Sequence, residues 1–245
     1  MSTTPTEIAG AKRRRRERLF YTGMAFAIAL TVFAGFSRTY FLKSYFGAPP
    51  LVPLLHLHGL VFTSWILFFL VQNLLVATNR TRIHRRIGIA GVVIAGLIVL
   101  VGVATALIRA RQNFVLSGDT AALSFLTIPL GDLLLFSALV GAGFYFRRRA
   151  DVHKRLMLLA TISILPAAVA RLPLAILQAG PPAFFALTDI FIVLCVLFDL
   201  LTLRRVHRAT LIAGLVIIAS QPLRLMIGST HAWVVVADWL TQWAG

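Results

Sequence analysis

Seven apolar runs, each near 20 residues long and separated by short polar breaks, constrain this chain more than any other feature. They fall near 19–36, 54–78, 87–108, 122–146, 156–177, 183–203 and 209–228. A helix rises about 1.5 Å per residue, so about 20 residues cross a hydrocarbon core of about 30 Å. Inside lipid the backbone must satisfy its own N–H and C=O groups, and a single apolar run does so only as a helix. The expected fold class is all-α, a polytopic membrane helical bundle of about seven transmembrane helices. The chain divides into a basic tail (1–18), a seven-helix domain (19–228) and an interfacial tail (229–245). Residues 1–10 are polar and are expected to be disordered. The first run is longer than a signal-peptide core, and no small-residue cleavage site follows it. It is therefore expected to be a retained helix.

The charge balance sets the orientation. Lys and Arg number 24 against 8 Asp and Glu, a net charge of +16. In a soluble chain this would suggest nucleic acid. Here the basic residues sit in clusters between apolar runs, so the lipid bilayer is the expected partner and nucleic acid is not. Eighteen of them (Lys12 to Arg18, Arg80 to Arg86, Arg147 to Arg155, Arg204 to Arg208) lie on one side. Only Arg38, Lys43, Arg109 and Arg111 lie on the other. The positive-inside rule then makes the crowded side cytoplasmic. The expected setting is a bacterial inner membrane, with a cytoplasmic N-terminus and a periplasmic C-terminus. Trp233, Trp239 and Trp243 follow the seventh run and suit an aromatic anchor in the outer interface. The single cysteine, Cys195, excludes disulfide frameworks and Cys-based zinc sites.

The second half of the chain repeats itself. Asp132 precedes Arg147 by 15 residues, and Asp189 precedes Arg204 by 15. Arg171 lies 18 residues after His153, and Arg224 lies 17 after His207. The 54–108 pair keeps Arg80 and His84 but lacks the intramembrane charges, so the chain reads as three helical hairpins after a leading helix. Helix rise places Asp132, Arg171, Asp189 and Arg224 roughly 22–27 Å above the basic loops, in one layer. Charges at that depth are costly, so each Asp is expected beside an Arg. The layer reads either as structural ion pairs or as a polar pocket open to the outside, with Gln221 one turn from Arg224.

Histidines gather at the two membrane surfaces. His84, His153 and His207 each begin a helix on the basic side, where interfacial contact with lipid phosphate is the simplest reading. Adjacent arginines argue against a three-histidine metal site. On the other side His56 and His58 open the second helix, and His231 follows the seventh. These three are the candidate cofactor ligands, since neutral imidazole binds haem iron or a divalent metal. His58 and His84 are 26 residues apart, about 39 Å of helix, which argues against a two-haem wire.

His58-Gly59, His84-Arg85-Arg86-Ile87-Gly88 and His153-Lys154-Arg155-Leu156-Met157 reaching Arg171 form a pattern. It resembles bacterial multi-pass membrane proteins of an uncharacterised domain family, over about residues 54–177. Leu156 stands where that family usually has Trp, and no activity comes with the resemblance. More distantly, the layout is similar to b-type cytochrome membrane bundles, whose helical histidines bind haem. Three functions remain open. The leading one is a redox-linked protein with haem b or a metal near the outer face. The others are a binder or transporter of a small anion or lipid head group, and an accessory subunit that meets a membrane-complex partner. Lysines occur only at 12, 43 and 154, which excludes a retinal Schiff base late in the chain. No His-x-x-x-His, His-Glu-x-x-His or P-loop pattern occurs.

Overall fold

The computed structural model describes residues 5–244, and among them there are helices and no strands. Ten α-helices are numbered in chain order. They are α1 (Pro5–Phe36), α2 (Pro53–Ala77), α3 (Thr81–Ser117), α4 (Ala121–Phe125) and α5 (Thr127–Tyr145), then α6 (Ala150–Ser163), α7 (Pro166–Val169), α8 (Pro181–Leu203), α9 (Arg208–Gly228) and α10 (His231–Thr241). Seven helical segments are long and apolar enough to cross a membrane, which makes this a multi-pass membrane protein. Leu30, Ile89, Leu100, Leu134, Leu201 and Met226 are among many large apolar side chains exposed on the outside of the bundle. In water such a surface would aggregate; in lipid it costs nothing.

Helix α2 packs along α3, and α5 along α6. The remaining pair is looser, for α9 lies more against α5 and α6 than against α8. The fifth span, α6 with α7, is the most enclosed of the seven. Leu158, Leu159, Ala160, Ile162 and Leu165 are all buried there. A polar tie crosses this core, as Trp65 Nε1 of α2 donates to Thr161 Oγ1 of α6 at 3.3 Å.

Three sequence expectations change. Residues 5–10 are helical and continue into the basic run, so the disorder expected for 1–10 does not extend to them; residues 1–4 lie outside the described part. The Glu-, Ala-, Lys- and Arg-rich sequence that follows favours helix. The fifth span is broken. A straight helix over 156–177 is expected from hydropathy, but α6 ends at Ser163 and α7 begins at Pro166. Proline lacks an N–H and clashes with the carbonyl four residues back, here Ile162. The chain then turns, and residues Ala175–Ala179 form a 3-10 helix. The tail at 229–245, expected as an interfacial aromatic anchor, gains a helix. It contains α10, which packs on α3 and α4. Trp233 Nε1 donates to the Leu123 carbonyl at 3.0 Å, and Arg111 pairs with Asp238 at 2.9 Å. At 37 residues α3 is about 55 Å long, so it overruns the bilayer and offers α10 a surface.

Candidate functional site

The proposed charge layer splits into an engaged half and a free half. Arg224 of α9 and Asp132 of α5 are both buried and form an ion pair at 2.5 Å. Arg224 Nη1 also donates to the Ile128 carbonyl at 3.1 Å. Its Nε donates to the Ser220 carbonyl and its Nη2 to Ser220 Oγ, both at 3.2 Å. The guanidinium carbon stands 5.0 Å from the centre of the Phe185 ring. Gly131 makes this possible, because a Cβ there would overlap Arg224 Cδ. Four of the five N–H groups of Arg224 are therefore engaged by protein acceptors.

Asp189 and Arg171 do not form the second pair expected from the repeat. Asp189 is half-buried and accepts from Gln221 Nε2 at 2.7 Å. Among the described residues it has no salt-bridge partner within 4 Å. Arg171 stands past the end of α7, exposed, and likewise has no carboxylate partner among the described residues. The cause is the break at Pro166, which takes Arg171 off the helix that would have aimed it inward. Its Nη1 donates to the Ala167 carbonyl at 2.5 Å, and its guanidinium lies 4.8 Å from the Phe36 ring centre. Those contacts fix the group and leave Nε and Nη2 free.

The end of the bundle that holds Arg171, opposite the basic clusters, also holds His56 and His58. His58 is half-buried and stacks on Phe62, with ring centres 4.1 Å apart. Its Nδ1 is buried and has no hydrogen-bond partner. His56 is exposed; its carbonyl accepts from Tyr40 Oη at 3.3 Å. His231 opens α10 and is exposed. His231 lies on α10, which packs on α3 and α4, whereas His58 lies on α2, which packs on α1 and α3. Among the described residues His56, His58 and His231 do not gather as a three-ligand metal site. Beside Arg171 an open groove is lined by Leu172, Pro173, Leu174, Leu177 and Gln178.

At the basic end the structure brings together residues that sequence reasoning overlooked. Arg155 and Asp199 are buried and paired. Asp199 Oδ2 also accepts from Thr210 Oγ1 at 2.6 Å and from the His207 backbone N–H at 3.2 Å. Arg155 Nη1 donates to the Asp151 carbonyl at 2.8 Å, and His207 Nε2 lies 3.1 Å from Asp151 Oδ2. This network joins α6, α8 and α9. The clue was Asp199, one of three carboxylates inside apolar runs, in phase with no repeat and so passed over. His207 is thereby taken by Asp151 and caps α9, its Nδ1 accepting from Ala209 N at 3.1 Å. His84 and His153 stand together instead, ring centres 6.3 Å apart. Among the described residues, no three of the His, Cys, Asp and Glu side chains gather as a metal site.

No protein-family model, no curated protein and no solved structure matches this chain.

Proposed function

We propose that this membrane protein binds an oxyanion, a phosphate or carboxylate, at the end of the bundle where Arg171 stands. By the positive-inside rule that end faces the periplasm of a bacterial inner membrane. The observation that carries the reading is the contrast between two arginines. Arg224 is consumed by Asp132 and three neutral acceptors, whereas Arg171 is fixed by Phe36 and Ala167 with two donor nitrogens unused. An immobilised guanidinium with parallel free N–H groups suits bidentate oxyanion recognition. His58, half-buried at the same end of the bundle with an unpartnered Nδ1, offers a second polar contact. The anion is either a free small molecule or the head group of a lipid lying in the groove beyond Leu172.

A redox-linked reading, with haem b or a metal near this face, rests on one observation, the unpartnered Nδ1 of His58. It needs further ligands, since no three of the His, Cys, Asp and Glu side chains gather as a metal site among the described residues. A Soret band in the purified protein would favour it.

The test is binding in detergent, with inorganic phosphate, succinate and phosphatidylglycerol as probes. Arg171→Ala should weaken the preferred probe by at least about 10-fold while helix content is kept, as expected for a charged hydrogen-bond pair of roughly 1.5–3 kcal/mol. Preference for phosphate or succinate means a soluble anion, and preference for phosphatidylglycerol means a lipid. Parent protein that binds none of the three would sink the reading.

A further inference from the structure

At the basic end, two neighbouring histidines keep ring nitrogens without a protein partner. His153 Nδ1 lies 2.8 Å from the Gly143 carbonyl of α5, so it donates and Nε2 keeps its lone pair. His84, on α3, has its Nδ1 buried without a partner. The Gln72 side-chain oxygen is also buried and unpartnered. Thus two buried polar atoms without partners, on α2 and α3, lie at the end of the bundle where His84 meets His153 of α6. Tying one imidazole nitrogen to a carbonyl fixes the tautomer and readies the other nitrogen for a metal.

We propose that His84 and His153 bind copper(I) between them, with the Gln72 amide oxygen at the edge of the site. The spacing selects the geometry. A metal about 2.0 Å from a ring nitrogen lies about 3.2 Å from that ring's centre, so opposed rings have centres about 6.4 Å apart and tetrahedral ones about 5.2 Å. The ring centres here are 6.3 Å apart, with the ring planes at 73°. With the two free nitrogens turned toward each other, that distance is the one a near-linear two-nitrogen site has, which a monovalent d10 ion accepts. Zinc instead requires four tetrahedral ligands. Charge selects the same ion. The candidate ligands bind as uncharged nitrogen and oxygen donors, and Arg85 and Lys154 adjoin the two histidines in the chain. Repulsion from Arg85 opposes any metal, and it is half as large for a monocation as for a dication. His207, the third histidine of this end, is held by Asp151 and does not join.

The purified full chain is titrated with copper(I) under ascorbate against the chromogenic chelator bicinchoninate. One equivalent should be retained, with a near-linear two-nitrogen X-ray absorption signature. Loss of a direct ligand should weaken binding by about 100-fold or more, the upper end of what outer partners cost. This is expected for His84→Ala and for His153→Ala, and not for His56→Ala or His231→Ala. Circular dichroism identifies any variant that fails to fold, and His84→Gln and His153→Gln then replace it. No copper(I) retained by the parent, retention indifferent to both histidines, or stronger retention of zinc(II) would each overturn the proposal.

Discussion

Replacing Asp132 with Asn tests the ion pair at the heart of the bundle. The substitution keeps shape and one acceptor oxygen but removes the charge that Arg224 faces at 2.5 Å. Removing one partner of a buried pair costs roughly 3–5 kcal/mol, because the survivor is left as an uncompensated charge. Arg224 would keep the Ile128 carbonyl, the Ser220 carbonyl and Ser220 Oγ, which places the cost at the lower end, about 3 kcal/mol. At about 2–4 °C per kcal/mol for a chain of this size, the melting temperature should fall by roughly 6–12 °C. The assay is thermal unfolding of purified protein in one detergent, followed by intrinsic tryptophan fluorescence. The double variant Asp132→Asn with Arg224→Gln removes both charges and should regain at least half of the loss. An Asp132→Asn variant that melts with the parent, or a double variant whose loss equals the sum of the two singles, would show that the charges do not support each other.

The network at the basic end should behave alike, since Asp199 accepts from Arg155, Thr210 and the His207 backbone. Asp199→Asn should lower the melting temperature in the same assay, whereas Asp151→Asn, whose side chain is 61% exposed, should change it little. For orientation, a phosphatase fused after Gly245 should be active and a fluorescent protein fused there dark; the reverse pattern would refute the periplasmic C-terminus.

Hydropathy made the seven spans legible because the bilayer demands continuous apolar length, which is a one-dimensional property. The basic clusters were legible for the same reason. Helix ends were less so. Nothing in the composition of 109–117 marks α3 as continuing, and it is stabilised there by α10, a tertiary partner. The Asp132–Arg224 pair was legible as one of the expected pairings, since an intramembrane charge needs a counter-charge. Which Arg meets which Asp was not, because spacing gives depth along each helix but not the facing of one helix toward another. The Arg155–Asp199 pair was hidden for a different reason. Arg155 sits in a cluster that orientation already explains, so its burial had no separate mark in the sequence.

The divergence of the two repeats has a local cause with a functional consequence. Both carry an Arg near prolines after a similar helical run, yet only one Arg is folded inward. In α9 the helix continues through Pro222, losing one backbone hydrogen bond, and Arg224 keeps a helical bearing toward α5. In the fifth span Pro166 falls where the helix ends instead, and the chain turns before Arg171. Gly131 marks the side that was chosen, since the Arg224 side chain fills the space that any Cβ at 131 would occupy. No such recess is needed by Arg171, whose guanidinium rests over Phe36 at the bundle's end. Two similar runs thus end in one arginine that holds helices together and one that keeps two donor nitrogens unengaged. The helix break, rather than any difference in the arginines themselves, decides which is which.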